Sequence, residues 1–125
     1  MSNENKSKRT FDLEERTSIF SENIIDFCQS LKETTVTRPI ISQLIRSATS
    51  IGSNYCEADC TESRRDFEHK LGICKKEAKE TKYWLRMIMK SLPEFKVRAQ
   101  ELRKESMELL LIFSSIINKS KSKAA

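Results

Sequence analysis

Between Ser63 and Pro93 the chain carries no proline, and its apolar positions keep one rhythm: Phe67, Leu71, Cys74, Ala78, Thr81, Leu85 and Ile88 alternate spacings of four and three. Side chains three and four positions apart share one face of an α-helix, so this period places all seven on a single seam. A helix of about 28 residues is roughly 42 Å long at 1.5 Å per residue. A seam of this length and regularity packs antiparallel helical neighbours at small crossing angles.

The remaining sequence supplies those neighbours. Two Gly and two Pro in 125 residues leave too few turn formers for a hairpin-rich fold. Leu13, Phe20, Ile24, Phe27, Cys28 and Leu31 recur at helical spacing behind Asp12, Glu14 and Glu15, acids that suit a helix start. This predicts a first helix over about 12–32. Thr34 to Thr37 interrupt it, and Pro39 fits a first-turn proline behind a Thr37 cap, opening a second helix over 38–58. Its core face is Ile41, Leu44, Ile45, Ala48, Ile51, Gly52 and Tyr55, with Ala48 and Gly52 small enough for close approach. Ser63 and Asp66 form a capping pair for the third helix, 63–91. A fourth, 94–118, gathers Leu102, Leu109, Leu110, Ile112, Phe113, Ile116 and Ile117. Short connections give an all-α, antiparallel up-down four-helix bundle in one domain over 11–118, flanked by flexible basic segments at 1–10 and 119–125.

Those flanks hold the whole charge surplus. Lys6, Lys8 and Arg9 oppose only Glu4, and Lys119, Lys121 and Lys123 oppose nothing, which accounts for the net +5. Residues 11–118 have 17 basic and 17 acidic side chains, divided as −4 over 11–60 and +4 over 61–118. Nucleic-acid binding therefore depends on local clustering rather than on total charge. No run approaches the ~18 apolar residues of a membrane span, and Met1 to Thr10 lacks an apolar signal core, so a cytoplasmic protein without membrane contact is expected. Cys28, Cys56, Cys60 and Cys74 are read as free thiols. Cys56 and Cys60 lie one helical turn apart, but without a CxxC or paired His they define no metal site, and their spacing has no assigned role.

The third helix has more faces than its seam. Ile73, Trp84 and Met87 point away from Phe67 and Leu85 at ~100° per residue. Either a single wide core covers them or they form an oligomer interface. On another flank Lys75, Lys79, Lys82 and Arg86, spaced four, three and four, align as a ridge. Such a ridge is either a solvated face or a phosphate-binding surface that is salt-dependent and blind to sequence. On the second helix Arg46, Ser50, Asn54 and Glu57 lie opposite the core. Ser and Asn are weak helix formers, so their presence there hints at a packed polar contact.

Nothing here makes an enzyme. His69 is the only histidine and no Glu-x-x-His pair accompanies it. His-Glu-x-x-His, Gly-x-Ser-x-Gly and a phosphate-binding Gly-rich loop are likewise missing. Glu57, Glu77 and Glu80, with basic neighbours, read as structural carboxylates. No catalytic residue, cofactor or metal is expected.

Two strings add a resemblance. Leu44-Ile45-Arg46-Ser47-Ala48-Thr49-Ser50-Ile51-Gly52-Ser53-Asn54 with Glu57-Ala58, and then Arg65-Asp66-Phe67, Lys70-Leu71, Lys76-Glu77-Ala78 and Glu80-Thr81-Lys82-Tyr83-Trp84-Leu85, are similar to the 23S rRNA-intervening-sequence four-helix-bundle family, also labelled ribosomal-protein-like. The close similarity spans about 40–85. It implies a ring-like homo-oligomer, typically a pentamer, no catalysis, and a poorly defined role. Some members resemble accessory proteins of diversity-generating retroelements, for which nucleic-acid binding has been suggested. Arg46, Ser50, Asn54, Glu57, Lys70, Glu77 and Glu80 occupy the family's recurrent polar positions, expected as a network between helices or subunits. Two functions stand open: an oligomer that binds RNA or DNA through Lys75, Lys79, Lys82 and Arg86, or a protein-binding scaffold for a partner such as a reverse transcriptase.

Overall fold

A computed structural model describes residues 12–124. The basic segment 1–10, expected to be flexible, lies outside the described residues. Four helices follow one another: α1 Leu13–Ser30, α2 Thr37–Asp59, α3 Arg64–Ser91 and α4 Lys96–Ala124, with a short 3-10 turn at Pro93–Phe95 before α4.

Local chemistry sets most of these ends. Glu14 and Glu15 occupy the first turn of α1, where exposed backbone N–H groups favour negative charge. The start of α2 corrects the expected cap. Thr34, not Thr37, receives the backbone N–H groups of Thr37 (3.0 Å) and Val36 (3.2 Å) on its hydroxyl, while the Thr37 hydroxyl accepts the Thr34 N–H at 2.8 Å. The two threonines thus form a reciprocal box in which Thr37 takes the place usually held by Glu or Gln. At α3 the Ser63 hydroxyl accepts the Asp66 N–H at 3.1 Å, as the spacing predicts.

The last helix departs from expectation. Pro93 opens the 3-10 turn, and α4 then continues to Ala124, past the predicted end near 118 and through most of the segment expected to be a flexible tail. Apolar periodicity fades after Ile117, which is why the sequence pattern stops short. A side-chain contact holds the extension: the Ser120 hydroxyl donates to a Glu68 carboxylate oxygen of α3 at 2.6 Å.

Neighbouring helices are antiparallel, as paired contacts along each seam demonstrate. Arg46 and Glu57 of α2 meet Glu77 and Lys70 of α3 in reverse order. Ala78 and Glu68 of α3 meet Ser106 and Ser120 of α4 in the same sense. Gly52 of α2 faces Thr17 and Ser21 of α1, and the Ser21 hydroxyl reaches the Ala48 carbonyl at 3.4 Å. The small pair Ala48 and Gly52 is therefore where α1 and α2 approach. Arg16 of α1 closes the bundle with a two-pronged contact to Glu105 of α4, both N–O distances 2.8 Å.

Phe20, Ile24, Leu44, Ile51, Leu71, Leu85, Ile88, Leu109 and Phe113 fill the centre, each fully buried. Deleting such side chains costs about 2–5 kcal/mol apiece. Buried hydroxyls are satisfied within this core: Thr17 donates to the Leu13 carbonyl at 2.7 Å, Ser106 to the Ala78 carbonyl at 2.7 Å, and Thr81 lies 2.9 Å from Ser47. Among the described residues no helix is long and apolar enough to cross a membrane.

Candidate nucleic-acid interface

α3 lies between α2 and α4, and its charges are sorted by flank. Toward α2 it presents acids. The Arg46 guanidinium donates to Glu77 at 2.9 Å and to Glu80 at 2.5 Å. Its third contact is to the Gln43 side-chain oxygen at 3.0 Å, a partner that the i, i+3 spacing on α2 announces but that the sequence reading missed. Further along, Lys70 pairs with Glu57 at 3.0 Å. Five of the seven polar residues predicted as a network are thus brought together across α2 and α3. Ser50 and Asn54 are not: each bonds within its own helix, to the carbonyls of Arg46 and Ser50 at 2.6 and 2.8 Å.

Glu77 is the buried member, its side chain 8% exposed, so Arg46 neutralises a carboxylate that water scarcely reaches. Burial pushes the Glu80 carboxyl up, but its neighbour Glu77 and the Arg46 guanidinium that donates to it outweigh this and leave it below its usual range. The buried Trp84 Nε1 has no hydrogen-bond partner among the described residues.

Ile73, Trp84 and Met87, predicted to stand clear of their own bundle, are all half-buried. Trp84 packs against the core, and its ring meets Tyr83 edge-on with centroids 4.9 Å apart. Buried Ser47 of α2 meets the Thr81 hydroxyl of α3 beside this face, at 2.9 Å. Trp84 thus belongs with its own core, while Ile73 and Met87 stay at the rim.

The opposite flank is cationic. Lys75, Lys79 and Arg86 are exposed, Lys82 is half-buried, and none of the four takes part in an ion pair among the described residues. Three residues not included in the predicted ridge join them: exposed Lys76 and Lys90 on α3, and Arg103 of α4, whose Nε donates to the Lys82 carbonyl at 3.3 Å. The sequence reading missed Lys76 and Lys90, although their spacing along α3 is a signal that could have found them; the placement of Arg103 needs the fold. Lys75, Lys76, Lys79 and Lys82 line a shallow groove of about 420 Å³ with an apolar floor of Met107 and Leu110. Gly72 leaves it open, for a side chain there meets nothing within 4 Å. A second depression, about 580 Å³ where the α2–α3 connection meets the end of α4, mixes Asp59 and Glu62 with Arg64, Lys119 and Lys123 and so has no field of one sign.

The remaining reactive groups are dispersed. Burial pushes the Cys28 and Cys74 thiols up to about 12, keeping both protonated. Cys56 and Cys60 are exposed, and Cys56 lies 3.8 Å from Glu14. No group of three His, Cys, Asp or Glu able to hold a metal occurs among the described residues, and His69 is exposed.

The profile of the family described as 23S rRNA-intervening sequence protein matches residues 9–115, most of the chain. The chain belongs to this family. The match takes in α1, α2 and α3 and ends within α4, so the helical stretch 116–124 lies beyond it. A solved structure agrees: a protein of unknown function from the S23 ribosomal protein family of Bacteroides thetaiotaomicron is 31% identical, with a TM-score of 0.74 over 83% of this chain and 96% of that one. No curated protein matches the chain. This member of the 23S rRNA-intervening sequence family thus shares its fold with a solved protein whose function is unknown.

Proposed function

We propose that this family member is a non-enzymatic, self-associating cytoplasmic bundle that binds RNA or DNA backbones through the cationic flank of α3. The observation that carries the reading is charge sorting. Glu77 and Glu80 are turned to α2 and share Arg46 there, whereas Lys75, Lys79, Lys82 and Arg86 have no acid within ion-pair reach among the described residues. Their field is therefore not cancelled locally, although residues 11–118 are neutral as a whole. The carboxylates that come nearest to an acid–base arrangement, Glu57, Glu77 and Glu80, are all committed to Lys70 or Arg46, which supports a structural role for them.

One neutral subunit offers few phosphate contacts. Self-association across the α2–α3 rim, where Ile73 and Met87 are half-buried and the Trp84 N–H lacks a partner among the described residues, would close a ring-like homo-oligomer and repeat the ridge around it. Repetition raises affinity without new chemistry.

Fluorescence anisotropy with labelled RNA and DNA at low ionic strength tests the reading. Binding should weaken as salt rises, with a log–log slope of about −3 to −4 if four phosphates are neutralised. A variant carrying Glu at 75, 79, 82 and 86 should lose it. Equal binding by that variant, or none by the native chain, sinks the proposal. A second reading, a scaffold for a protein such as a reverse transcriptase, draws on Val97 and Leu111 of α4, exposed at 75% and 59%. For that reading, affinity capture from the native host should recover one stoichiometric protein partner.

A further inference from the structure

The cationic flank of α3 holds one residue that phosphate binding does not explain. Lys76, Lys79, Tyr83, Arg86 and Lys90 follow one another at three, four, three and four positions, so they form a single row along the solvent side of the helix, about 21 Å long at 1.5 Å per residue. Tyr83, at the centre of this row, is 53% exposed. Its ring is held by an edge-on contact with Trp84, and Trp84 in turn packs against the core. An exposed aromatic on a fixed support, with cations before and after it on the same row that form no ion pair among the described residues, is the arrangement that takes stacked bases between backbone phosphates.

We infer that this row is a binding site for single-stranded nucleic acid, with Tyr83 as the platform on which a base stacks; the inference rests on the nucleic-acid reading above and narrows its ligand. Two features weigh against duplex. Reading a duplex through its major groove requires a helix that enters a channel about 12 Å wide. α3 is packed on both sides, against α2 and against α4, so only its outer row is free and it does not fit as an inserted helix. A duplex also keeps its base faces stacked inside, where an outward ring on a broad surface does not reach them. A single strand brings both groups that the row can use, phosphates for Lys76, Lys79, Arg86 and Lys90 and an unstacked base for Tyr83. The neighbouring groove, with Met107 and Leu110 below its lysines, offers a further base an apolar floor.

The full chain is titrated at low salt with a labelled 20-nucleotide RNA and with the corresponding 20-base-pair duplex, using native protein, Tyr83→Ala, Tyr83→Leu, Tyr83→Phe and the ridge charge-reversal variant. Light scattering and circular dichroism are run on each variant. The native chain should prefer the single strand. Tyr83→Ala and Tyr83→Leu should each lose about tenfold for it and keep their duplex affinity, whereas Tyr83→Phe, which retains the ring, should bind as the native chain does. Charge reversal should weaken both ligands. Equal affinity of the native chain for strand and duplex, or unchanged strand binding in Tyr83→Ala, overturns the stacking role and leaves backbone binding standing. A changed oligomer mass in Tyr83→Ala also overturns it, by placing Tyr83 between copies of the chain. Absence of binding to either ligand defeats the broader proposal, and this one with it.

Discussion

The two glycines show how little a residue's type says without its neighbours. Both sit inside helices, where Gly costs about 1 kcal/mol relative to Ala. At Gly72 a Cβ would meet nothing within 4 Å, so Gly72→Ala should raise the unfolding free energy in a urea titration by about 0.5–1 kcal/mol. At Gly52 the same atom would lie 3.4 Å from Thr17 Oγ1 and 3.6 Å from Ser21 Oγ, ordinary contact distances. Gly52→Ala should therefore be neutral to slightly stabilising, and Gly52→Leu should cost about 1–3 kcal/mol by forcing α1 from α2. A destabilising Gly72→Ala would show that the open groove is occupied in the assembled protein. Glu80 gives the acid response its sign. Its carboxyl is lowered from 4.5 in the folded chain, so its contribution is complete above pH 4.5 and is lost as pH falls through the lowered value. Glu80→Gln should flatten this part of the acid limb in a series of thermal melts, while the native protein loses stability across it.

At the scale of elements, the bundle's helices owe their positions to short-range chemistry that a sequence states openly. The alternation of four and three along α3 is read directly from the chain, and Leu71, Cys74, Ala78, Thr81, Leu85 and Ile88 are all buried as it requires, while Phe67 at its start is only half-buried. The Ser63 cap was equally legible. The cap of α2 was not, because three threonines in four residues offer competing hydroxyls and only the closed geometry selects Thr34. Thr34→Ala should lower stability by about 1 kcal/mol, measured by the urea midpoint, whereas Thr35→Ala should leave it unchanged. The far end of α4 escaped the sequence reading for another reason. A helix edge held by the Ser120–Glu68 bond has no apolar period to announce it.

For the whole molecule, the decisive quantity is how many copies assemble. Static or multi-angle light scattering of the purified protein, with its 260/280 absorbance ratio, reads mass and bound nucleic acid together. A mass above one chain is expected, and Ile73→Glu combined with Met87→Glu should reduce it while circular dichroism retains the helical signal. A native protein that runs as a monomer would remove the α2–α3 rim from consideration as an interface. If the assembly does form, dissociating it should also weaken nucleic-acid binding more than tenfold, since linked sites gain through effective concentration.

The sequence by itself determined the class, the number of helices, their order and the seam of α3, because each is written in periodicity and in scarce turn residues, which act over a few positions. It also supplied the family, through two strings of local pattern that the profile match over 9–115 extends. Only the tertiary structure decided which charges cancel. Lys79 and Glu80 are adjacent in the chain, yet α2 neutralises one with Arg46 and leaves the other facing solvent. Charge pairing depends on distances between helices that no spacing along one helix contains. Trp84 shows the same limit: a helical wheel set it apart from the seam, yet in the folded chain it packs against the core, with Tyr83 beside it on the cationic row.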